Sequence, residues 1–195
     1  VLVSLTALIK QAIAHYPDEI VGDKEALCQR VYGFFEQRIR NVLNDRGFRY
    51  DVVEAVVSCG YDNLTETLLR AEALNKMRTT DTFAKVLTAF TRANNLAKKA
   101  VSDAVEEANL VEPVEKQLWS DVQFAENAIA EQVQRRQYAE ALTIISTLEE
   151  SISAFFDGVM VMDENEAIKN NRLALLRRVS ALSNQIADLT KIVQY

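Results

Sequence analysis

Apolar residues recur along most of this chain at every third or fourth position, the period of an α-helix with one buried face. Leu2, Leu5, Ile9, Ile13 and Tyr16 predict a first helix over 1–16, and Pro17 and Gly22 bracket a linker. Asp23 can cap a second helix running to about Asp45, with Leu27, Val31, Phe34, Phe35, Ile39 and Val42 on its apolar face. On a wheel at about 100° per residue, Arg38 falls inside that arc and Arg40 points away. Asp51 with Glu54 forms a capping pair for a short Val-rich segment ending at Gly60. The valine run also fits a strand, but the cap, the glycine and the lack of a partner strand decide for helix.

Asn63 with Glu66 opens a fourth helix through Leu64, Leu68, Ala71, Leu74 and Met77. A fifth is predicted from about Asp81 to Asp103, burying Phe83, Leu87, Phe90, Ala97 and Val101 and turning Lys85, Thr88, Arg92, Asn95 and Lys99 outward. Pro113 suits the first turn of a sixth, which carries Val114, Leu118, Val122, Ala125, Ile129 and Val133 inward. Arg135 to Gln137 marks a break, and Tyr138, Leu142, Ile145, Leu148, Ile152 and Phe155 define a seventh helix. The eighth bears two heptad rows: Ile168, Leu175, Leu182, Leu189, and Arg172, Val179, Ile186, Val193. The expected fold class is all-α, a bundle of about eight helices.

Between the last two helices, Phe155-Phe156-Asp157 runs into Gly158, a residue suited to a helix stop. An apolar connector follows, Val159 to Met162, and loops of that composition are expected to tuck against helices. Asp163 to Glu166 then places carboxylates at the positive end of the last helix. Arg172, in the first core slot of its row, needs an acceptor, and the expected partner is Asp157 across the connector. The alternative is an Arg172 that faces a nucleic acid. Arg38 likewise is expected to be buried and hydrogen-bonded in the helical body, with contact to a nucleic acid as its alternative.

Composition narrows the field. With 195 residues the chain can bury a sizeable core, and five glycines and two prolines leave few tight turns. The longest apolar runs fall far short of a membrane span, and no signal peptide opens the chain. The start at Val1, already in helical register, reads as a fragment cut from a longer protein. Cys28, Cys59 and His15 are isolated, so no zinc-ligand spacing arises, and two thiols of this kind fit a cytoplasmic protein. No phosphate-cradling glycine loop or nucleophile set is present. Trp119 and the phenylalanines lie on or near apolar stripes and read as core.

The net charge of −6 argues against an indiscriminate nucleic-acid binder, but it is unevenly placed. Residues 24–102 carry 13 Lys/Arg against 9 Asp/Glu, 103–169 carry 4 against 15, and 170–195 carry 4 against 1. From Thr82 to Ser102 there is no carboxylate at all, whereas exposed helices ordinarily interleave both signs. Any RNA contact is therefore expected on that side. The contact residues are Lys85, Arg92, Asn95 and Lys99, with Arg40, Arg49 and Arg78 as further candidates; the bland alternative is a solvated basic face.

The stretch 154–176 resembles the signature of the DALR anticodon-binding domain, named for an Asp-Ala-Leu-Arg run that opens its last helix. Here that run is Glu166-Ala167-Ile168-Lys169. The flanking Phe155-Phe156-Asp157, Val159 to Met162 and Asn170-Asn171-Arg172-Leu173-Ala174-Leu175-Leu176 are similar to the version in the C-terminal part of bacterial glycyl-tRNA synthetase β subunits. So are Phe34 to Arg40, Gly47 to Asp51, and Thr91 to Leu96. The resemblance implies an N-terminal helix and linker over 1–22 and a DALR-like helical domain over 23–195. It implies binding of tRNA-Gly, whose last two anticodon letters are cytosines, within an ATP-dependent ligase. Adenylation belongs there to a separate α subunit, so ATP and magnesium are expected only on that subunit, and this chain is expected to hold no cofactor, metal, DNA or membrane. Two other readings stay open: an all-helical protein–protein interaction module, and an enzyme with dispersed catalytic residues.

Overall fold

A computed structural model of the chain describes residues 3–193, and among these every regular element is helical. The helices are α1 (Leu5–Ala14), α2 (Asp18–Val21), α3 (Lys24–Asp45), α4 (Tyr50–Val57), α5 (Leu64–Met77), α6 (Phe83–Ala97), α7 (Pro113–Gln134), α8 (Tyr138–Thr147), α9 (Glu149–Gly158) and α10 (Glu166–Asn184). Short 3-10 turns cover Glu107–Asn109 and Leu189–Lys191. The caps expected at Asp23, Asn63 and Pro113 are in place. Asp23 accepts from the N–H groups of Glu25 and Ala26, Asn63 from that of Glu66, and Pro113 opens α7 behind a Glu112/Glu115 capping box.

The bundle is built around α10. From Asn171 to Leu176 every residue is buried, because α6 lies along one side of the helix and α7 and α8 along others. A helix buried all round marks the centre of a core rather than its edge. α7 packs on α8 and α9, α5 on α4 and α8, and α3 on α1 and α4, so one apolar cluster runs from Leu5 to Ile192. α1 joins it through Leu5, Ile9 and Ile13, and Asp62 holds its first turn by accepting from the N–H groups of Leu5 and Thr6. Leu2 of the predicted first helix lies outside the described residues.

Several helices differ from the pattern read in sequence. The predicted seventh helix is two, with a break at Leu148, although its stripe stays buried across the break at Ile145, Leu148, Ile152 and Phe155. Hydroxyls cause it: Thr143, Ser146, Thr147 and Ser151 all donate back to main-chain carbonyls of the preceding turn, which loosens and bends a helix. α6 stops at Ala97 rather than Asp103, its end held by a hydrogen bond from Arg177 to the Ala100 carbonyl, and Val101 is exposed. α10 stops at Asn184, yet its heptad rows continue inward through Ile186 and Leu189, because the Asp188 N–H docks on the Ala55 carbonyl of α4. The linker after Pro17 contains the short α2.

Two expectations about charged residues in this part are overturned. Arg38 is exposed, not buried: its guanidinium lies 3.1 Å over the Phe34 ring and donates to the Phe34 carbonyl within its own helix. The predicted arc was wrongly centred, because Phe34 and Val42 point to solvent while the inward line runs through Cys28, Ile39 and Leu43. Asp51 does not cap α4; Arg49 occupies that position, and Asp51 is fully buried one residue inside the helix. It accepts from the N–H groups of Val52 and Val193 and from the Arg49 guanidinium, so it ties α4 to the chain's end.

Burial works to raise the carboxyl of Asp51, and these hydrogen bonds outweigh it and hold the group below the usual carboxylate range. Asp62 is lowered in the same way, burial being offset by bonds from Ser4 and Thr6. Both groups bind a proton less readily folded than unfolded. Their stabilisation is therefore present above the unfolded carboxylate value of about 3.9 and lost as pH falls through the folded values. Circular dichroism at graded urea should show stability level near neutrality and falling below about pH 4. Asp51→Asn should be less stable than the parent at pH 7, with the difference shrinking towards pH 2.

Candidate nucleic-acid interface

The sequence period of α6 puts Val86, Leu87, Phe90, Ala93 and Ala97 against α10 and leaves Lys85, Arg92 and Asn95 exposed on the opposite face. The side-chain amide of Asn94 turns inward, where it accepts from the Ser180 hydroxyl of α10 at 2.6 Å and fixes the register of the two helices. Lys99 is exposed but sits just beyond the helix end, so the stripe is three helical positions and a lysine in the following turn. Among the described residues, Lys85, Arg92, Lys98 and Lys99 make no ion pair, so their charge is not neutralised internally.

The stripe does not stand alone. The guanidinium of Arg92 lies 4.0 Å over the ring of Phe156 at the end of α9, a cation–π contact that fixes where the charge sits. Two shallow cavities flank it. One, of about 360 Å³, runs between Lys85, Thr88 and Arg92 on α6 and Glu149, Ser153 and Asp157 on α9. The other, of about 520 Å³, lies between Arg92, Leu96 and the connector 157–162.

The connector is only half tucked in, contrary to expectation. Val161 is buried and Val159 partly so, while Met160 and Met162 are 76% and 46% exposed. Alternation of this kind follows from extended backbone at Val159, where successive side chains point to opposite sides. Gly158 is needed for close approach rather than for a left-handed stop: a Cβ there would come within 2.8 Å of the Val114 Cγ2 on α7.

Arg172 holds the connector from beneath. The expected pair with Asp157 does not form; Asp157 is exposed, and Arg172 is buried, which also removes it from any nucleic-acid surface. Its Nε donates to Glu115 Oε1 at 2.5 Å, and its Nη1 donates to Asp163 Oδ2 at 2.7 Å and to the Met160 carbonyl at 3.0 Å. Glu115 is fully buried at the start of α7 and also accepts from the Glu112 N–H. The Asn165 N–H and the Arg172 guanidinium keep the Asp163 carboxyl below its usual range, so Asp163 stays ionised at neutral pH.

Two of the further candidate arginines are held in internal ion pairs. Arg40 is half-buried and bound to Glu36 and Glu54, which joins α3 to α4. Arg49 pairs with Asp51 and donates to the Val193 carbonyl. Arg78, partly buried, reaches Asn75. Arg49 and Arg78 line one cavity with Phe83, Ala84 and Leu87 of α6, and Arg40 is not among its walls. Sequence reading missed Met160, Met162 and Phe156 as neighbours of the α6 stripe, although their place beside an arginine of another helix has no local signal. It also missed Arg70, Glu115 and Arg178, the last bound bidentately to Glu126 at 2.6 Å.

Residues 86–193, from α6 to the chain's last 3-10 turn, match the family model described as the DALR anticodon binding domain. The chain is 39% identical over 192 residues to the glycine–tRNA ligase beta subunit of Desulforamulus reducens and 39% over 193 residues to that of Clostridioides difficile. It is 40% identical over 187 residues to the one from Desulforudis audaxviator. These alignments cover 97%, 99% and 96% of this chain, but it spans only about 28% of the length of these curated relatives. No helix among the described residues is long and apolar enough to cross a membrane.

Proposed function

This chain belongs to the DALR anticodon-binding domain family, and from that premise we propose that it is the tRNA-reading part of a glycine–tRNA ligase β subunit. One observation carries the reading. The segment that matches the family begins at the helix whose outer face is basic, exposed and free of carboxylates. In this reading Lys85, Arg92 and Lys99 neutralise phosphates of the anticodon stem-loop of tRNA-Gly, and the Asn95 amide reads a base edge. ATP-dependent charging proceeds on a separate α subunit, which holds the ATP and magnesium; this chain contributes affinity and discrimination, in the cytoplasm, with no cofactor of its own.

The test is a Lys85/Arg92/Lys99 triple alanine in the complete two-subunit enzyme. All three side chains are exposed, so folding should change little. For every phosphate no longer neutralised, the log–log salt dependence should flatten by about 0.7, up to about two units for all three. The Michaelis constant for tRNA-Gly should rise with kcat nearly unchanged. Asn95→Ala should instead reduce discrimination between anticodons and leave the salt slope alone. An unchanged Michaelis constant together with an unchanged slope would defeat the reading.

The alternative of a protein-interaction module has one observation in its favour, at a different surface. Phe35, Ile39, Val42, Leu64 and Leu68 line an apolar groove between α3 and α5, with Arg38 and Arg46 at its rim. A protein contact there is compatible with an RNA contact on α6.

A further inference from the structure

α4 is only 8 residues long, and the longer helices α3 and α5 each pack on it rather than on each other. A groove of about 360 Å³ therefore stays open between α3 and α5. Phe35, Ile39 and Val42 wall it on one side, Leu64 and Leu68 on the other, and Val42 and Leu64 are 53% and 51% exposed. Its one uncharged polar side chain offers nothing to a ligand: the buried Thr67 hydroxyl already donates to the Asn63 carbonyl and accepts from Arg70. The rim carries two arginines, Arg38 and Arg46, and no carboxylate is among the walls. Arg38 is fixed over the Phe34 ring, and neither arginine forms an ion pair among the described residues. Single exposed apolar residues are ordinary, but a trough walled by apolar side chains of two helices has the shape that a third helix fills.

We propose that this groove receives an amphipathic helix from the rest of the β-subunit polypeptide, one with an apolar ridge flanked by carboxylates. The proposal takes from the functional reading only the β-subunit assignment and does not depend on RNA binding. Charge selects the flanks, because two unpaired rim arginines favour acidic neighbours and repel basic ones. The apolar walls select the ridge, whose anchors would recur at every third or fourth position. Position and length select the source. The Leu5 N–H donates to the Asp62 carbonyl, two residues before Leu64, so chain leading into α1 arrives at the edge of the groove. The present chain spans only about 28% of the length of its curated relatives, so most of a polypeptide of that length lies outside it. A tethered helix docks at an effective concentration on the order of millimolar, so a groove of modest size suffices. A nucleic acid is a poor occupant, since a base edge would find no free hydrogen-bonding side chain on the groove floor. No wall of the groove belongs to α6, so the docked helix fixes the position of this helical body and leaves the basic stripe free.

Chemical labelling in the complete two-subunit enzyme, without RNA, decides the matter apart from the RNA reading. Under a docked helix, the thiol of Val42→Cys should react with a maleimide at least about ten-fold more slowly than that of Val101→Cys, a position 81% exposed and outside the groove. Arg38→Glu with Arg46→Glu should remove most of that difference, because carboxylates then face carboxylates, while Arg38→Lys with Arg46→Lys should keep it. Leu64→p-benzoylphenylalanine, after irradiation, should give a crosslinked species that runs at the mass of one β polypeptide on a denaturing gel. The peptide joined to position 64 should lie outside these 195 residues and show apolar residues at helical spacing with Asp or Glu beside them. Val42→Cys reacting as fast as Val101→Cys would mean an open groove and overturn the proposal. A crosslink to the α subunit or to a second β copy, or no crosslink at all, would overturn it too.

Discussion

Arg172→Ala should lower the unfolding free energy by about 3–5 kcal/mol, the usual cost of stranding one member of a buried ion pair. The partner left behind decides the size. Asp163 is 31% exposed on its side chain and can turn to water. Glu115 cannot: its side chain is fully buried, and without Arg172 it keeps only the Glu112 N–H. Glu115→Ala should be comparably severe, because it strands the guanidinium instead. Arg172→Met combined with Glu115→Leu should recover much of the loss, since an apolar pair of similar volume often replaces a buried ion pair at little cost. Urea denaturation checks all of these through the midpoint, with the slope expected to stay constant. A loss below about 1 kcal/mol for Arg172→Ala would show that water reaches Glu115 and the pair is not sealed. The same substitution frees the Met160 carbonyl, so RNA affinity should fall by more than removal of an internal arginine alone explains.

The two carboxylates explain what could and could not be read beforehand. That Arg172 must be partnered followed from a charge in a heptad core slot. Which carboxylate partners it did not follow, because Glu115 lies 57 positions upstream on a helix that meets α10 only in three dimensions. Periodicity is a local quantity, so it located helices well and their neighbours poorly. It gave the class, the caps at Asp23, Asn63 and Pro113, and the outward face of α6. It failed where a helix has more than one neighbour. α3 touches α1 on one side and α4 on another, so its wheel has no single apolar arc, and Arg38 and Arg40 exchanged roles. It failed again at Leu148, where a continuous stripe concealed a bend made by hydroxyls rather than by glycine or proline. The basic stripe was legible because it is defined by a missing residue type over a stretch of sequence. The cavity beside it was not, because Arg92 and Phe156 are joined only by the packing of α6 on α9.

Arg70 is the second position where a large loss is expected, and for a different reason. It is buried and, among the described residues, pairs with no carboxylate. Its guanidinium donates to the carbonyls of Val56, Gly60 and Ile186 and to the Thr67 hydroxyl. Burial pushes its pKa down, yet a guanidinium keeps its proton in a protein, so the charge is dispersed over main-chain dipoles. Those carbonyls belong to the end of α4, the turn at Gly60 and the exit from α10. One side chain thus joins the exit of α4, with the turn at Gly60, to the exit of α10. Arg70→Met keeps the apolar stem and removes the donors; the Val56 carbonyl keeps the Cys59 N–H, while those of Gly60 and Ile186 lose their donor at about 1–3 kcal/mol each, so the expected total is about 2–5 kcal/mol. Arg70→Lys should recover less than half, since a point ammonium on a shorter reach cannot span acceptors set around a planar fork. Hydrogen exchange locates the effect: protection should drop first around Gly60 and Ala187 and last in α7 and α9, to which the Arg70 guanidinium donates no hydrogen bond. Uniform loss across the chain would instead mean that Arg70 is one contributor to a single cooperative core and not the clasp between its two ends.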